Sequence, residues 1–207
     1  MTALVHRREI DGLRAIAVLA VVFYHAVAMP KAGYVGVDVF FVISGFLITA
    51  RLLREQAETG RIDLIGFYAR RVRRIFPAAV VVILSVLACA VFLLAPQDLV
   101  RLAHSASASS VFGANLFFEA TTGGYFDPDA GQMPLLHLWS LAVEEQFYLF
   151  WPVMLIMLSK LWSNRLVPII AAIGCGSFAL SEILMRISPE AAFYQMPARF
   201  WELAAGG

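Results

Sequence analysis

Charge is what this sequence has least of. Asp, Glu, Lys and Arg together make up 15% of its 207 residues, whereas hydrophobic side chains make up 60%. A soluble domain carries about 25% charged residues, so a globule solvated on all sides is excluded. Cysteine is nearly absent: Cys89 and Cys175 are the only two. Neither stands in a CxxC pair or at ligand spacing from a histidine, which removes a disulfide framework and a zinc or redox centre. Both read as small core residues inside helices, and no metal is expected. A net charge of +1 gives no sign of a nucleic-acid partner. No internal repeat and no low-complexity tract is visible.

What the sequence has instead is long apolar runs, with a mean hydropathy of +0.76. Crossing a bilayer takes roughly 20 apolar residues. The run around Leu13–Ala26 is the first candidate, followed by Gly33–Leu53, Phe76–Ala95, Pro134–Leu158 and Leu166–Ile187. Pro197–Gly207 reads as the start of a sixth, cut off in mid-span. The expected fold class is all-α: a polytopic transmembrane helix bundle of about five complete spans plus a truncated sixth. The first run is not read as a cleaved leader, because no small-residue cleavage site follows it.

Arginine placement orients the spans. Arg7 and Arg8 precede the first, and Arg51, Arg54, Arg61, Arg70, Arg71, Arg73 and Arg74 cluster between the second and third. By the positive-inside rule both regions face the cytoplasm. Leu99–Glu119 carries Arg101, His104, four serines and Asn115, too polar for a lipid-facing span. Keeping it outside the membrane, external or re-entrant, also places Lys160 and Arg165 on the cytoplasmic side.

Ionisable residues within spans are costly and mark candidate sites. Arg14 and His25 lie eleven residues apart, which on a helix returns to within about 20° and separates them by roughly 16 Å. Arg14 near a helix end can snorkel, and His25 can hydrogen-bond a neighbouring helix. The functional alternative makes His25 a general base. Asp38 matches His25 in depth and is a candidate to orient its ring. Ser44 and Gly45 read as a close-packing pair rather than as chemistry. In PLLHLWSLAVEEQFYLFWP, Glu144 and Glu145 fall roughly 15 Å below the outer end, and His137, Glu144 and Tyr148 are spaced to share one face. Arg71 and Arg74, three apart before the third span, serve either as a topology anchor or as a clamp for phosphate, from a soluble ligand or a lipid headgroup.

The ordered set REIDGLRAIAVLAVVFYH, GVDVFFVISGFLI, FYARRVRRIFP, HLWSLAVEEQFYLFWP and RFWELAAGG resembles the acyltransferase-3 family of bacterial membrane O-acyltransferases. The resemblance implies a bundle of about ten helices, of which residues 1–207 form the N-terminal portion of one membrane acyltransferase domain. It implies transfer of an acyl group, most often acetyl, from cytoplasmic acyl-CoA (acetyl-CoA) to a hydroxyl of an envelope carbohydrate such as lipopolysaccharide O-antigen or peptidoglycan. It places the protein in the bacterial inner membrane with its N-terminus cytoplasmic. His25 is then the implied base or transient acyl carrier, paired with Arg14, with Asp38 or Glu144 stabilising the imidazolium. Arg71 and Arg74 hold the coenzyme A phosphates, and Glu145 occupies a slot that varies in the family pattern. Many long members also carry a periplasmic SGNH hydrolase-like domain. The rival readings are a transporter that uses the same intramembrane charges, and a scaffold whose charges only pair helices.

Overall fold

The computed structural model describes residues 8–27, 29–128, 130–162 and 165–207. Arg7, one of the two arginines before the first span, lies outside them. The described residues form helices joined by turns, with no strand among them. Five helices are long and apolar enough to cross a bilayer: α1 (Arg8–Val27), α2 (Gly36–Thr59), α3 (Leu64–Leu93), α6 (Leu138–Leu161) and α7 (Leu166–Ile187). Between them lie α4 (Pro96–Ser110) and α5 (Ala114–Thr121), and after them come α8 (Pro189–Tyr194) and α9 (Met196–Gly206). The segment expected to stay out of the count of spans becomes α4 and α5, neither of which is among the five.

Local chemistry sets the helix ends. Gly60, at φ 75°, closes α2 in the left-handed conformation that glycine adopts without a Cβ penalty, and its N–H donates to the Gln56 carbonyl at 2.8 Å. Asp63 caps α3 by accepting from the Gly66 N–H at 3.0 Å. That cap starts α3 at Leu64, twelve residues before the expected third span. Arg70, Arg71, Arg73 and Arg74 ride on α3 itself, and so does Cys89, which like Cys175 on α7 is exposed rather than the core residue expected. Pro77 sits inside the helix. It removes one backbone donor, which a transmembrane helix tolerates when neighbours satisfy the freed carbonyl.

The chain divides into two compact units. The first comprises Met1–Ile62, Ile156–Gly176 and Phe200–Gly207; the second comprises Asp63–Leu155 and Ser177–Arg199. In the first unit α1 lies on a short 3-10 turn, Gly33–Val35, and on the start of α2. A Cβ on Gly33 would sit 2.6 Å from the Tyr24 Cβ, and one on Gly36 would sit 2.6 Å from the Ala17 carbonyl oxygen. A second glycine seam joins α2 to α9. A Cβ on Gly45 would collide with the Leu203 carbonyl, and one on Gly206 with the Val42 carbonyl. Apolar side chains gain little by leaving lipid for protein, so close backbone approach is what holds such helices together. Gln56 adds a polar tie by donating to the Ser159 hydroxyl at 3.0 Å.

In the second unit α4 packs on α3 and α5 packs on both α4 and α8. Its core runs through Phe67, Phe118, Leu135, Val143, Phe147 and Trp151, all nearly or fully buried. An aromatic cluster adds Tyr125 stacked on Phe193 at 4.7 Å between centroids, with Trp139 tilted against Phe193 at 4.6 Å.

The glycine seam makes a direct stability prediction. Gly45→Leu and Gly206→Val each force α2 and α9 apart and cost at least about 1–3 kcal/mol. Gly176→Ala, whose Cβ meets nothing within 4 Å, leaves stability unchanged or slightly raised. Thermal unfolding of the purified protein in detergent reads both effects.

Candidate active site

Arg14, His25 and Asp38 belong to the first unit, and Arg71, Arg74 and Glu144 to the second. α1 runs unbroken through Arg14 and His25, so the shared face expected from their spacing follows from helical geometry. Arg14 is half-buried and His25 exposed. The His25 Nδ1 lies 2.8 Å from the Val21 carbonyl oxygen, one turn back. A carbonyl only accepts, so Nδ1 must carry the proton, and the neutral ring keeps its lone pair on Nε2. The Tyr24 ring meets the imidazole edge-on at 5.2 Å, and Tyr34 meets Tyr24 at 5.7 Å. Asp38 is half-buried in the first turn of α2.

The second unit holds a recess of about 230 Å³ between α3, α6 and the α4–α5 turn. Arg71 enters it from α3. Its guanidinium lies 3.7 Å over the Tyr148 ring, a cation–π contact, and its Nη2 is 3.8 Å from Glu145 Oε1. The two charged side chains are only 15% and 14% exposed. Tyr68, one turn before Arg71, donates its hydroxyl to the Leu149 carbonyl at 2.7 Å and ties α3 to α6. Arg74 remains exposed on α3.

Two expectations change here, and one left open is filled: the carboxylate that meets Arg71 is Glu145. Successive residues on a helix point 100° apart, and rotation about α6 aims Glu145 at α3. His137 lies in the turn before α6 rather than on it, so only Glu144 and Tyr148 keep the helical spacing that puts them on a common side. Finally, Arg71 and Glu145 share one level, whereas hydropathy set Arg71 before the membrane and Glu145 well inside it. Extending α3 back to Leu64 removes the basis for that separation.

Gln146 and Phe112 also line the recess, and Gln146 is held by a buried amide partner whose role no sequence pattern signals. Asn115, fully buried, donates to the Tyr194 carbonyl at 3.0 Å and to Gln146 Oε1 at 3.3 Å. Gln146 donates back to Asn115 Oδ1 at 2.8 Å and to the Phe112 carbonyl at 3.1 Å. Phe112 holds φ 55°, a conformation that costs a side-chain-bearing residue about 1–2 kcal/mol. Gln146 thus pins a strained aromatic residue at the lip of the recess, beside Glu145 in the EEQ run. The turn carrying Phe112 and Arg71 of α3 line the same recess. Outside the spans, burial pushes the Tyr194 hydroxyl up and the Thr122 side chain pulls it back down. Among the described residues no group of three His, Cys, Asp or Glu side chains is placed to hold a metal ion.

Apolar helices of membrane-spanning length, with charged pairs turned toward one another, define a polytopic membrane protein. The chain belongs to the acyltransferase-3 family, whose Acyltransferase domain matches residues 7–207. It is 40% identical over 205 residues to "Peptidoglycan O-acetyltransferase OatA" of Listeria monocytogenes, covering 96% of this chain and 32% of that protein. It is 47% identical over 150 residues to "Putative O-acetyltransferase SACOL0978" of Staphylococcus aureus, covering 72% of this chain and 24% of the relative. The chain thus spans about a quarter to a third of the length of these curated relatives. No solved structure matches it.

The amide pair can be tested without any assay of activity. Gln146→Leu leaves Asn115 and the Phe112 carbonyl without their partner and destabilises by about 1–3 kcal/mol. Adding Asn115→Leu costs less than the sum of the two single changes, because one interaction is lost only once. Denaturation of the two single variants and the double variant measures the difference.

Proposed function

We propose that the protein is a membrane O-acetyltransferase that moves acetyl from cytoplasmic acetyl-CoA to a hydroxyl of an envelope carbohydrate outside the membrane. Peptidoglycan is the acceptor favoured by the name of the Listeria relative. The observation that carries the reading is the hydrogen bond of His25 Nδ1 to the Val21 carbonyl. It is the bond made by the neutral tautomer that carries its lone pair on Nε2, as a base needs.

In the proposed step, Nε2 takes the proton of the acceptor hydroxyl as the oxygen attacks the thioester carbonyl. The new C–O bond forms, the C–S bond breaks, and the imidazolium returns its proton to the departing thiolate. Asp38 or Glu144 steadies the imidazolium in this scheme, and Arg14 completes the polar lane along α1. Arg71 and Arg74 form the donor side, where guanidinium groups suit the nucleotide and its phosphates. The arginines at the end of α2 and the start of α3 face the cytoplasm in this scheme, which puts the N-terminus inside and the protein in the bacterial inner membrane.

Transfer of labelled acetyl from acetyl-CoA to cell-wall carbohydrate, in membranes carrying the protein, tests this directly. His25→Ala at matched abundance and thermal stability is expected to lower the rate by about 100-fold or more. Undiminished labelling in that variant removes His25 as the base. Absence of labelling by the wild type contradicts the acetyltransferase reading itself.

A further inference from the structure

α3 carries a recess at each end. Arg71, near its start, lines the one already described. Leu94, the residue that closes the helix, lines a second of about 140 Å³, together with α4 and the turn before α6. Arg71 and Leu94 are separated by about 34 Å of helix, slightly more than the roughly 30 Å of hydrocarbon in a bilayer. In the orientation proposed above, the second recess therefore belongs to the outer end of the span. Arg101, which lines it, is the only Lys or Arg between α3 and α6. Basic residues are scarce on the outer side of a membrane, so one kept there calls for a reason.

The polar lining of this outer recess mixes its signs. Asp98 and Arg101 stand one turn apart on α4, and Gln132 comes from the 3-10 turn Ala130–Gln132. All three are exposed, and among the described residues none of their side chains is engaged in a hydrogen bond or ion pair. Asp98 in the first turn of α4 suits the helix dipole, which leaves Arg101 and Gln132 to be explained. A bare anion needs donors alone and would meet Asp98, and a cation would meet Arg101. Neighbouring hydroxyls on a sugar ring both donate and accept, so they match a carboxylate, a guanidinium and an amide together. Leu102, Met133 and Pro134 complete the lining with apolar surface, against which the C–H face of such a ring can lie. The volume is well below the roughly 300 Å³ at which pockets enclose a whole drug-sized ligand, so one ring is held and the rest of a glycan stays outside.

We propose that the recess formed by Asp98, Arg101 and Gln132 at the outer end of α3 binds a neutral sugar ring of the acceptor glycan. Asp98 accepts from the ring hydroxyls, and Arg101 and Gln132 donate to them. The subsite makes and breaks no covalent bond; it recognises the acceptor on the side from which the acceptor arrives. The proposal rests on the acetyltransferase reading above, which brings a carbohydrate to the protein from outside the membrane. It gives a task to the polar start of α4, which the step at His25 does not use.

The test pairs kinetics with binding. Acetyl transfer from acetyl-CoA to soluble peptidoglycan strands is measured in membranes carrying the protein. In parallel, equilibrium binding to the purified protein is measured for a neutral N-acetylglucosamine oligosaccharide and for a uronic acid oligosaccharide of the same length. Asp98→Ala and Gln132→Ala are each expected to raise the KM for the glycan by about fivefold or more and to weaken binding of the neutral oligosaccharide by a similar factor. The KM for acetyl-CoA stays unchanged in both. Ser107→Ala, on α4 but outside the recess, alters neither KM. An unchanged glycan KM in both recess variants overturns the proposal. So does an equal rise in the KM for glycan and acetyl-CoA, the mark of a merely structural role. Tighter binding of the uronic acid oligosaccharide overturns it as well, because the recess would then be an anion site built on Arg101. Binding of the neutral oligosaccharide that Asp98→Ala weakens, without acetyl transfer by the wild type, contradicts the acetyltransferase reading while leaving the sugar site intact. Neither transfer nor sugar binding by the wild type overturns both.

Discussion

A polar group on an apolar helix has to find its partner within the protein, and the second unit is arranged around that requirement. Arg71 meets Glu145 and the face of Tyr148. Tyr68 meets the Leu149 carbonyl, and Asn115 and Gln146 exchange hydrogen bonds through their amides. Each contact joins elements far apart in sequence, so together they fix how α3, α5, α6 and α8 are rotated about their axes. The apolar surface does not supply that information, because one lipid-like face packs about as well as another. Polar pairing supplies it, at the cost of any partner left unmatched.

The first unit solves the same problem with small residues. Gly33 and Gly36 let α1 settle on the start of α2, and Gly45 and Gly206 let α2 and α9 touch through their backbones. The consequence for chemistry is positional. α1 carries both Arg14 and His25, so any slip of α1 on its glycines moves the proposed base. In the second unit the same dependence runs through Gln146, which stabilises the strained turn at Phe112 and thereby shapes the recess beside Arg71. Side chains that perform no chemistry thus set where the chemistry can occur.

Much of this was legible in the sequence, for identifiable reasons. Apolarity over about twenty residues marks a helix that can cross a bilayer regardless of what it packs against, so the spans emerge from composition alone. The ordered motifs carried the family, which the Acyltransferase domain match over residues 7–207 bears out. Helix starts were less legible: an average over hydropathy reads the arginines before Pro77 as a break, whereas Asp63 caps a helix that passes through them. Partner identity was least legible. Glu144 and Glu145 differ by one position, and only the rotation of α6 against α3 tells which meets Arg71. Asn115 gave no signal beyond making its segment polar, because its role depends on Gln146 and the Tyr194 backbone lying beside it in space. Phe112 gave none, since a left-handed phenylalanine has no sequence signature.

The central claim is that polar pairing between α3 and α6 organises the candidate site, and a charge-neutralisation cycle on Arg71 and Glu145 tests it most directly. Arg71→Met and Glu145→Gln each leave one largely buried charge without its partner, whereas the double variant leaves neither. Unfolding measured in detergent should show each single variant less stable than the double, with the double near the wild type. Losses that simply add, or single variants as stable as the wild type, would mean that the two side chains are neighbours without being partners.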